Sequence, residues 1–191
     1  MSDASLRHVV TENESLIAKA KQGDRGALQA LLEPLQLPVV RFLQRFVRTP
    51  DAQDVAQETF IQVVRKFSQF GGRSSLQAWV FRIAFRQMIN FQNKNNRQMQ
   101  VIEECEPALA DDAQQSVLQS EQNGLILAAI DRLPEKQRQV VWLRVFEELP
   151  FREIAKICGV PLNTVLSRMH QAKEKLIGEL ASLGIRKEVI S

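Results

Sequence analysis

Apolar residues recur at steps of three and four along most of this chain, and the strict alternation of half-buried strands is absent. The pattern predicts helices throughout. A first covers Glu14 to Lys21 and stops at Gly23-Asp24. A second starts near Arg25, carries Ala27, Leu28, Leu31 and Leu32, and ends at Pro34, because proline removes an N–H and crowds the preceding turn. A third spans Pro38 to Val47, with Val39, Phe42, Leu43 and Phe46 on one stripe. Thr49-Pro50-Asp51 then combines a cap, a proline in the first turn and an acid at the positive end of the helix dipole. The helix it opens, Pro50 to Phe67, is expected to bury Val55, Phe60, Val63, Val64 and Phe67. Gly71-Gly72 breaks the pattern, and Ser74 or Ser75 caps a further helix to about Asn95.

Periodicity fades between Met99 and Ser120, where Glu103, Glu104, Glu106, Pro107, Asp111 and Asp112 gather; this reads as a partly disordered connector. Helical spacing resumes at Leu125, Leu127, Ile130 and Leu133, is interrupted by Pro134 and continues from Glu135 to Glu147. Two more helices are expected over Pro150–Cys158 and Leu162–Leu180. The fold class is therefore all-α: two small helical domains, 1–98 and 120–191, joined by an acidic flexible linker, 99–119.

Charge sharpens that division. The net +3 of the 191 residues hides +6 over residues 1–98, −7 over 99–131 and +4 over 132–191. Two basic modules on an acidic connector suit a polyanionic partner. No run of about 18 apolar residues exists to span a membrane, and Met1 to Glu14 is polar, unlike a signal peptide. The expectation is a soluble, cytoplasmic protein. Cys105 and Cys158 are the two cysteines, at a spacing that suits neither a disulfide framework nor a cysteine-paired zinc site. Cys158 reads as a small core residue.

Residues 151–170, FREIAKICGVPLNTVLSRMH, have the pattern of a helix-turn-helix. Such a motif needs a small residue for close helix approach, a turn residue tolerant of positive φ, and a β-branched residue to seat the second helix. Ala155, Gly159 and Val165 stand at those places, with Ile154 and Cys158 on the first helix's inner face. The second helix would meet base edges with its N-terminal part; its polar candidates are Asn163, Thr164, Ser167, Arg168, His170, Gln171 and Lys173. The plainer reading is an αα-hairpin whose charges solvate a surface.

The N-terminal half has its own signal. Between Glu58 and Glu103 no acidic residue occurs, while Arg65, Lys66, Arg73, Arg82, Arg86, Lys94 and Arg97 accumulate. Arg82, Arg86, Asn90, Asn93 and Arg97 fall on one helical stripe, and seven of the twelve aromatics lie in the same region. That combination suits phosphates and unstacked bases, although Trp79 and Phe91 read more simply as core. The preceding helix differs: Asp51, Asp54, Gln57, Glu58 and Gln62 form an acidic-amide face that would repel phosphate and suits a protein partner.

DAQDVAQETFIQVVRKF (51–67) followed by FGGRSSLQAWVFRIAFRQMINF (70–91) resembles conserved region two of bacterial RNA polymerase sigma factors, and residues 133–176 resemble region four. With no room for region three between them, the resemblance is to the extracytoplasmic-function group. It implies a cytoplasmic, non-enzymatic initiation factor without cofactor or metal. Asp54, Gln57, Glu58 and Gln62 would bind core polymerase at the β′ clamp helices, and the helices before the recognition helix would pack on the β flap. Phe70, Arg73, Ser74, Arg82, Arg86 and Asn90 would take the minus-ten element, and Asn163, Thr164, Ser167, Arg168, His170, Gln171 and Lys173 the minus-thirty-five element. An anti-sigma factor, often membrane-anchored, would hold the protein inactive, and the regulon would answer stress or metals. Arg86 stands where many relatives carry an amide, and Leu166 and Gln171 where they often carry Lys or Arg.

Two other classes compete. A free-standing helix-turn-helix regulator would need a sensing domain with an apolar pocket, which the basic, acid-free 59–102 segment does not suggest. A nucleic-acid enzyme would need a base or a metal site; His8 and His170 are the two histidines, and no carboxylate cluster or small-molecule substrate site accompanies the basic stripe.

Overall fold

The computed structural model describes the backbone of residues 14–101 and 121–182, and the side chains of residues 14–95 and 124–181. The linker expected over 99–119 lies outside the described residues from 102 onward, as do His8 and Cys105; the Arg97 side chain lies outside them too. The chain divides into two compact units, Met1–Val101 and Ile102–Ser191. The first contains α1 (residues 14–21), α2 (Arg25–Gln44), α3 (Thr49–Lys66), a 3-10 turn (Phe67–Gln69) and α4 (Leu76–Val101). The second contains α5 (Glu121–Asp131), α6 (Glu135–Val141), a π-helical turn (Trp142–Phe146), α7 (Phe151–Cys158) and α8 (Leu162–Ser182). No strand occurs among the described residues, in line with the expected all-α class.

In the first unit Asp24 caps α2, its Oδ1 accepting the Ala27 N–H at 3.0 Å. The break expected at Pro34 does not occur: α2 runs 20 residues through Pro34 and Pro38. The missing proline N–H groups leave the Ala30 and Pro34 carbonyls without helical partners. Ala30 and Pro34 are both exposed, so water can serve those carbonyls. The opposite face stays buried across both prolines, through Leu31, Leu32, Val39, Phe42 and Leu43. Burying each such side chain contributes about 1.5–3 kcal/mol, so packing outweighs the local penalty.

Helices α2, α3 and α4 pack on one another. The fully buried Phe42 ring meets Phe46 at 5.0 Å and Phe81 edge-on at 5.5 Å. Thr59, buried on α3, donates its hydroxyl to the Val55 carbonyl at 2.7 Å, which satisfies the one polar group that face carries inward. Ala20, Ala27, Leu31 and Phe67 form a second cluster that seats α1 against Leu76 and Trp79 at the start of α4. One expected core residue fails: Val64 on α3 is 52% exposed. It follows Val63, which takes the inward position, and one helical step turns the next side chain about 100° away.

In the second unit α8 is the central element, with α5, α6 and α7 against it. Ala172, Leu176 and Leu180 of α8 meet Ala129, Ile130, Leu133 and Val141. The helix expected over Glu135–Glu147 is regular only to Val141. Beyond it the Glu147 N–H bonds the Trp142 carbonyl, five residues back, at 3.3 Å. The wider turn stacks the Phe146 ring on Trp142 at 4.1 Å. Leu149 closes it by donating to the Leu143 carbonyl at 3.0 Å.

Two outcomes test this packing. Pro34→Ala restores an intrahelical donor on an exposed face and should stabilise the protein by about 1–3 kcal/mol in urea denaturation; a loss would mean that the helix depends on the proline. Cys158 is half-buried, and burial pushes its thiol up to about 11, against an opposing effect from Arg168. In a Cys105→Ser variant at pH 8, thiol labelling of the folded chain should be on the order of a hundredfold slower than in urea, since the thiolate reacts.

Candidate nucleic-acid interface

The turn between α7 and α8 has the geometry expected of a helix-turn-helix. Gly159 ends α7 at φ +66° and ψ 34°, a left-handed conformation that a Cβ disfavours. Its N–H and that of Val160 both turn back to the Ala155 carbonyl. Ala155 is nearly buried and Val165 wholly so, which seats α8 closely on α7. With Val165, Ala172 and Leu176 inward, helical periodicity turns Asn163, Ser167 and His170 outward, and all three are exposed. Lys173 is exposed as well, whereas Thr164 and Arg168 are half-buried.

Gln171 is held differently from what its position suggested. Its Oε1 accepts a hydrogen bond from the buried Gln137 Nε2 of α6 at 3.0 Å, and its Nε2 reaches the Ser167 hydroxyl at 3.5 Å. The side chain is thereby ordered against its own domain.

On the first unit, Ser75 rather than Ser74 caps α4: its Oγ accepts the Ala78 N–H at 3.1 Å. That leaves Ser74, half-buried, in the loop beside the exposed Arg73 and Gly72, whose φ is +70°. Along α4, Val80, Phe81, Ala84 and Met88 are buried completely, and this fixes what lies opposite. Arg86, Asn90 and Asn93 are exposed, and Arg82 is half-buried beside them. The structure thus brings the basic-amide stripe together over its described part.

The aromatics do not join that stripe. Phe70 is only 3% exposed, packed against Phe67 at 6.2 Å and Trp79 at 5.3 Å. Its ring is core and is not offered to DNA in this structure, a correction to its expected role; it anchors the start of the loop that carries Arg73 and Ser74. Phe81 and Phe85 are also buried, and Trp79 and Phe91 are half-buried. The apolar register of α4 takes the rings inward.

The outer face of α3 carries Asp54, Gln57 and Glu58, all exposed, with Gln62 half-buried and donating its Nε2 to Glu58 Oε1 at 2.8 Å. Ile61, 44% exposed, and Val64 lie on the same side. Sequence reading missed both, because an apolar residue in an amphipathic helix is assigned inward by default. An acidic rim around exposed aliphatics is the composition of a protein-docking face and is unsuited to phosphate. A second apolar exposure, Val145 and Phe146, lies on the π-helical turn. Arg144 fixes that segment to the start of α7, bonding the Leu149 carbonyl at 3.3 Å with its guanidinium 5.0 Å from the Phe151 ring centroid.

Among the described residues, no three His, Cys, Asp or Glu side chains gather as a metal site would require, and no helix is long and apolar enough to cross a membrane.

Both units match known proteins. Residues 31–98 match the family model for Sigma-70 region 2, and residues 123–176 the model for Sigma-70, region 4. The ECF RNA polymerase sigma-E factor of Haemophilus influenzae is 30% identical over 186 residues, covering 90% of this chain and 96% of that protein. The RNA polymerase sigma-H factor of Pseudomonas aeruginosa is 30% identical over 177 residues, covering 86% and 92%. In fold, the chain is similar to CnrH, solved in complex with the cytosolic domain of CnrY (TM-score 0.64, 19% identity, 90% of this chain and 98% of that one). It is also similar to the sigma factor RpoE of Bartonella quintana, solved in complex with the anti-sigma factor NepR (TM-score 0.66, 23% identity, 81% and 96%). With region two on the unit that carries the basic stripe, region four on the helix-turn-helix, and relatives matched along nearly their whole length, the chain belongs to the sigma-70 family of RNA polymerase sigma factors, in its extracytoplasmic-function group.

Proposed function

We propose that this sigma factor docks on core RNA polymerase through α3 and grips a promoter at two points, one on each unit. The observation that carries the reading is the segregation of charge by face. The exposed acids of α3 meet protein, while the acid-free α4 and the outward face of α8 meet nucleic acid. Asp54, Gln57, Glu58 and Gln62, with Ile61 and Val64, form the core-binding face toward the β′ clamp helices. Val145 and Phe146 offer an apolar contact for the β flap.

Arg73, Ser74, Arg82, Arg86 and Asn90 take the minus-ten strand, with Phe70 acting from beneath as the support of their loop. Asn163, Thr164, Ser167, Arg168, His170, Gln171 and Lys173 meet the minus-thirty-five duplex. The acidic connector, 99–119, avoids a lasting grip on nucleic acid through like-charge repulsion. The protein works in the cytoplasm, catalyses no reaction itself, and is released from an anti-sigma partner to serve a stress- or metal-responsive regulon. The complex of the similarly folded RpoE of Bartonella quintana with NepR supports the anti-sigma element of this reading.

Reconstitution with core polymerase tests both contacts. Asp54→Arg reverses an exposed charge on the docking face and should abolish pull-down of core while leaving the melting temperature unchanged; undiminished pull-down would remove α3 from the interface. Arg168→Ala should leave core association intact and lower promoter-specific run-off transcription about tenfold or more, the effect of a lost base or phosphate contact. Equal loss of core binding and transcription would assign Arg168 to folding, since it lies close enough to Cys158 of α7 to influence its thiol.

A further inference from the structure

The outward face of α8 carries one large apolar side chain among its described residues. Leu166 is 43% exposed, within the first five residues of the helix, between Asn163 and His170 at steps of three and four. Its side chain points about 100° around the helix from the buried Val165, on the flank away from Arg168, whose charge reaches Cys158 of α7. It therefore contributes little to the seam between α7 and α8. Gln171, whose amide could read an adenine with both ends, is held with its carbonyl on Gln137. The front of the helix is left with an amide, a hydroxyl, an imidazole and one bare aliphatic group.

Among the donors and acceptors that base edges present in the major groove, the one alkyl group is the C5-methyl of thymine. A leucine at the N-terminal end of a recognition helix cannot bond a phosphate and would leave any donor or acceptor opposite it dehydrated and unpaired. Against a thymine methyl it removes apolar surface from water on both sides. We infer that Leu166 is a specificity-determining residue that selects thymine in the upstream promoter element by contact with the C5-methyl group. This rests on the reading of α8 as the element that enters duplex DNA. It changes the meaning of the missing positive charge at position 166: phosphate affinity is exchanged for discrimination at one or two base pairs.

Deoxyuridine tests it, because uracil pairs as thymine does and lacks only the methyl. Holoenzyme made with the full chain would select its upstream element from a randomised duplex library. Each thymine of that element, on either strand, is then replaced singly by deoxyuridine. With wild-type protein, one or two replacements should weaken binding roughly three- to fivefold, the value of one buried methyl. With Leu166→Ala the same replacements should have no effect, and with Leu166→Ile they should keep it. Leu166→Lys should bind all sequences more tightly with a steeper salt dependence, and discriminate less. The inference is overturned if no thymine is sensitive in the wild type, if the element holds no thymine, or if Leu166→Ala keeps the sensitivity. Failure of holoenzyme to select any upstream element would instead strike the reading of α8 as a duplex reader, and the inference with it.

Discussion

Helical periodicity ties each working face of this protein to a buried one. Val165, Ala172 and Leu176 must point inward for α8 to hold α5, α6 and α7, and the same rotation then turns Asn163, Ser167 and His170 outward. Val80, Phe81, Ala84 and Met88 do the same for Arg86 and Asn90 on α4, and Val55, Ala56, Thr59 and Val63 for Asp54, Gln57 and Glu58 on α3. A substitution that shifts the packing of one of these helices moves a binding face with it. Fold and function in this chain share one register.

What the faces bind is then a matter of charge. Acids are excluded from residues 59–102 and placed on the exposed side of α3 and in the connector. Exposed charges are screened beyond about 8 Å at physiological ionic strength, so faces of opposite sign can serve different partners on one small unit. In the proposed arrangement, polymerase meets carboxylates and aliphatics, and promoter DNA meets arginines and amides. Joined on one chain and tethered to the enzyme, the two proposed DNA contacts would gain from effective concentration.

Much of this was legible in the residues. Gly159 could be assigned to a turn because its neighbours Ala155 and Val165 were spaced for a helix pair, and the structure gives it the left-handed conformation that a glycine allows. The all-α class and most helix starts followed from caps and spacing. The rest depended on long-range packing that local pattern cannot carry. Pro34 looked like an end because the rule concerns one helix in isolation, whereas the buried side of α2 holds it together. Phe70 lay among basic residues yet turns into a pocket made by Phe67 and Trp79. Val64 stands at steps of four and three from Phe60 and Phe67 and so fits the buried spacing, yet Val63 takes the inward position. The widened turn at Trp142–Phe146 and the Gln137–Gln171 bond depend on neighbours distant in sequence or on turn geometry, and no motif announces them.

On this reading, two weak DNA grips become one strong, polymerase-dependent one. Footprinting of a promoter with the free chain, with core enzyme and with reconstituted holoenzyme measures this directly. Only holoenzyme should protect the upstream element and, on the same molecules, render downstream thymines reactive to permanganate as the strands separate. Protection of a specific site by the free chain as strong as that given by holoenzyme, without strand opening, would contradict it.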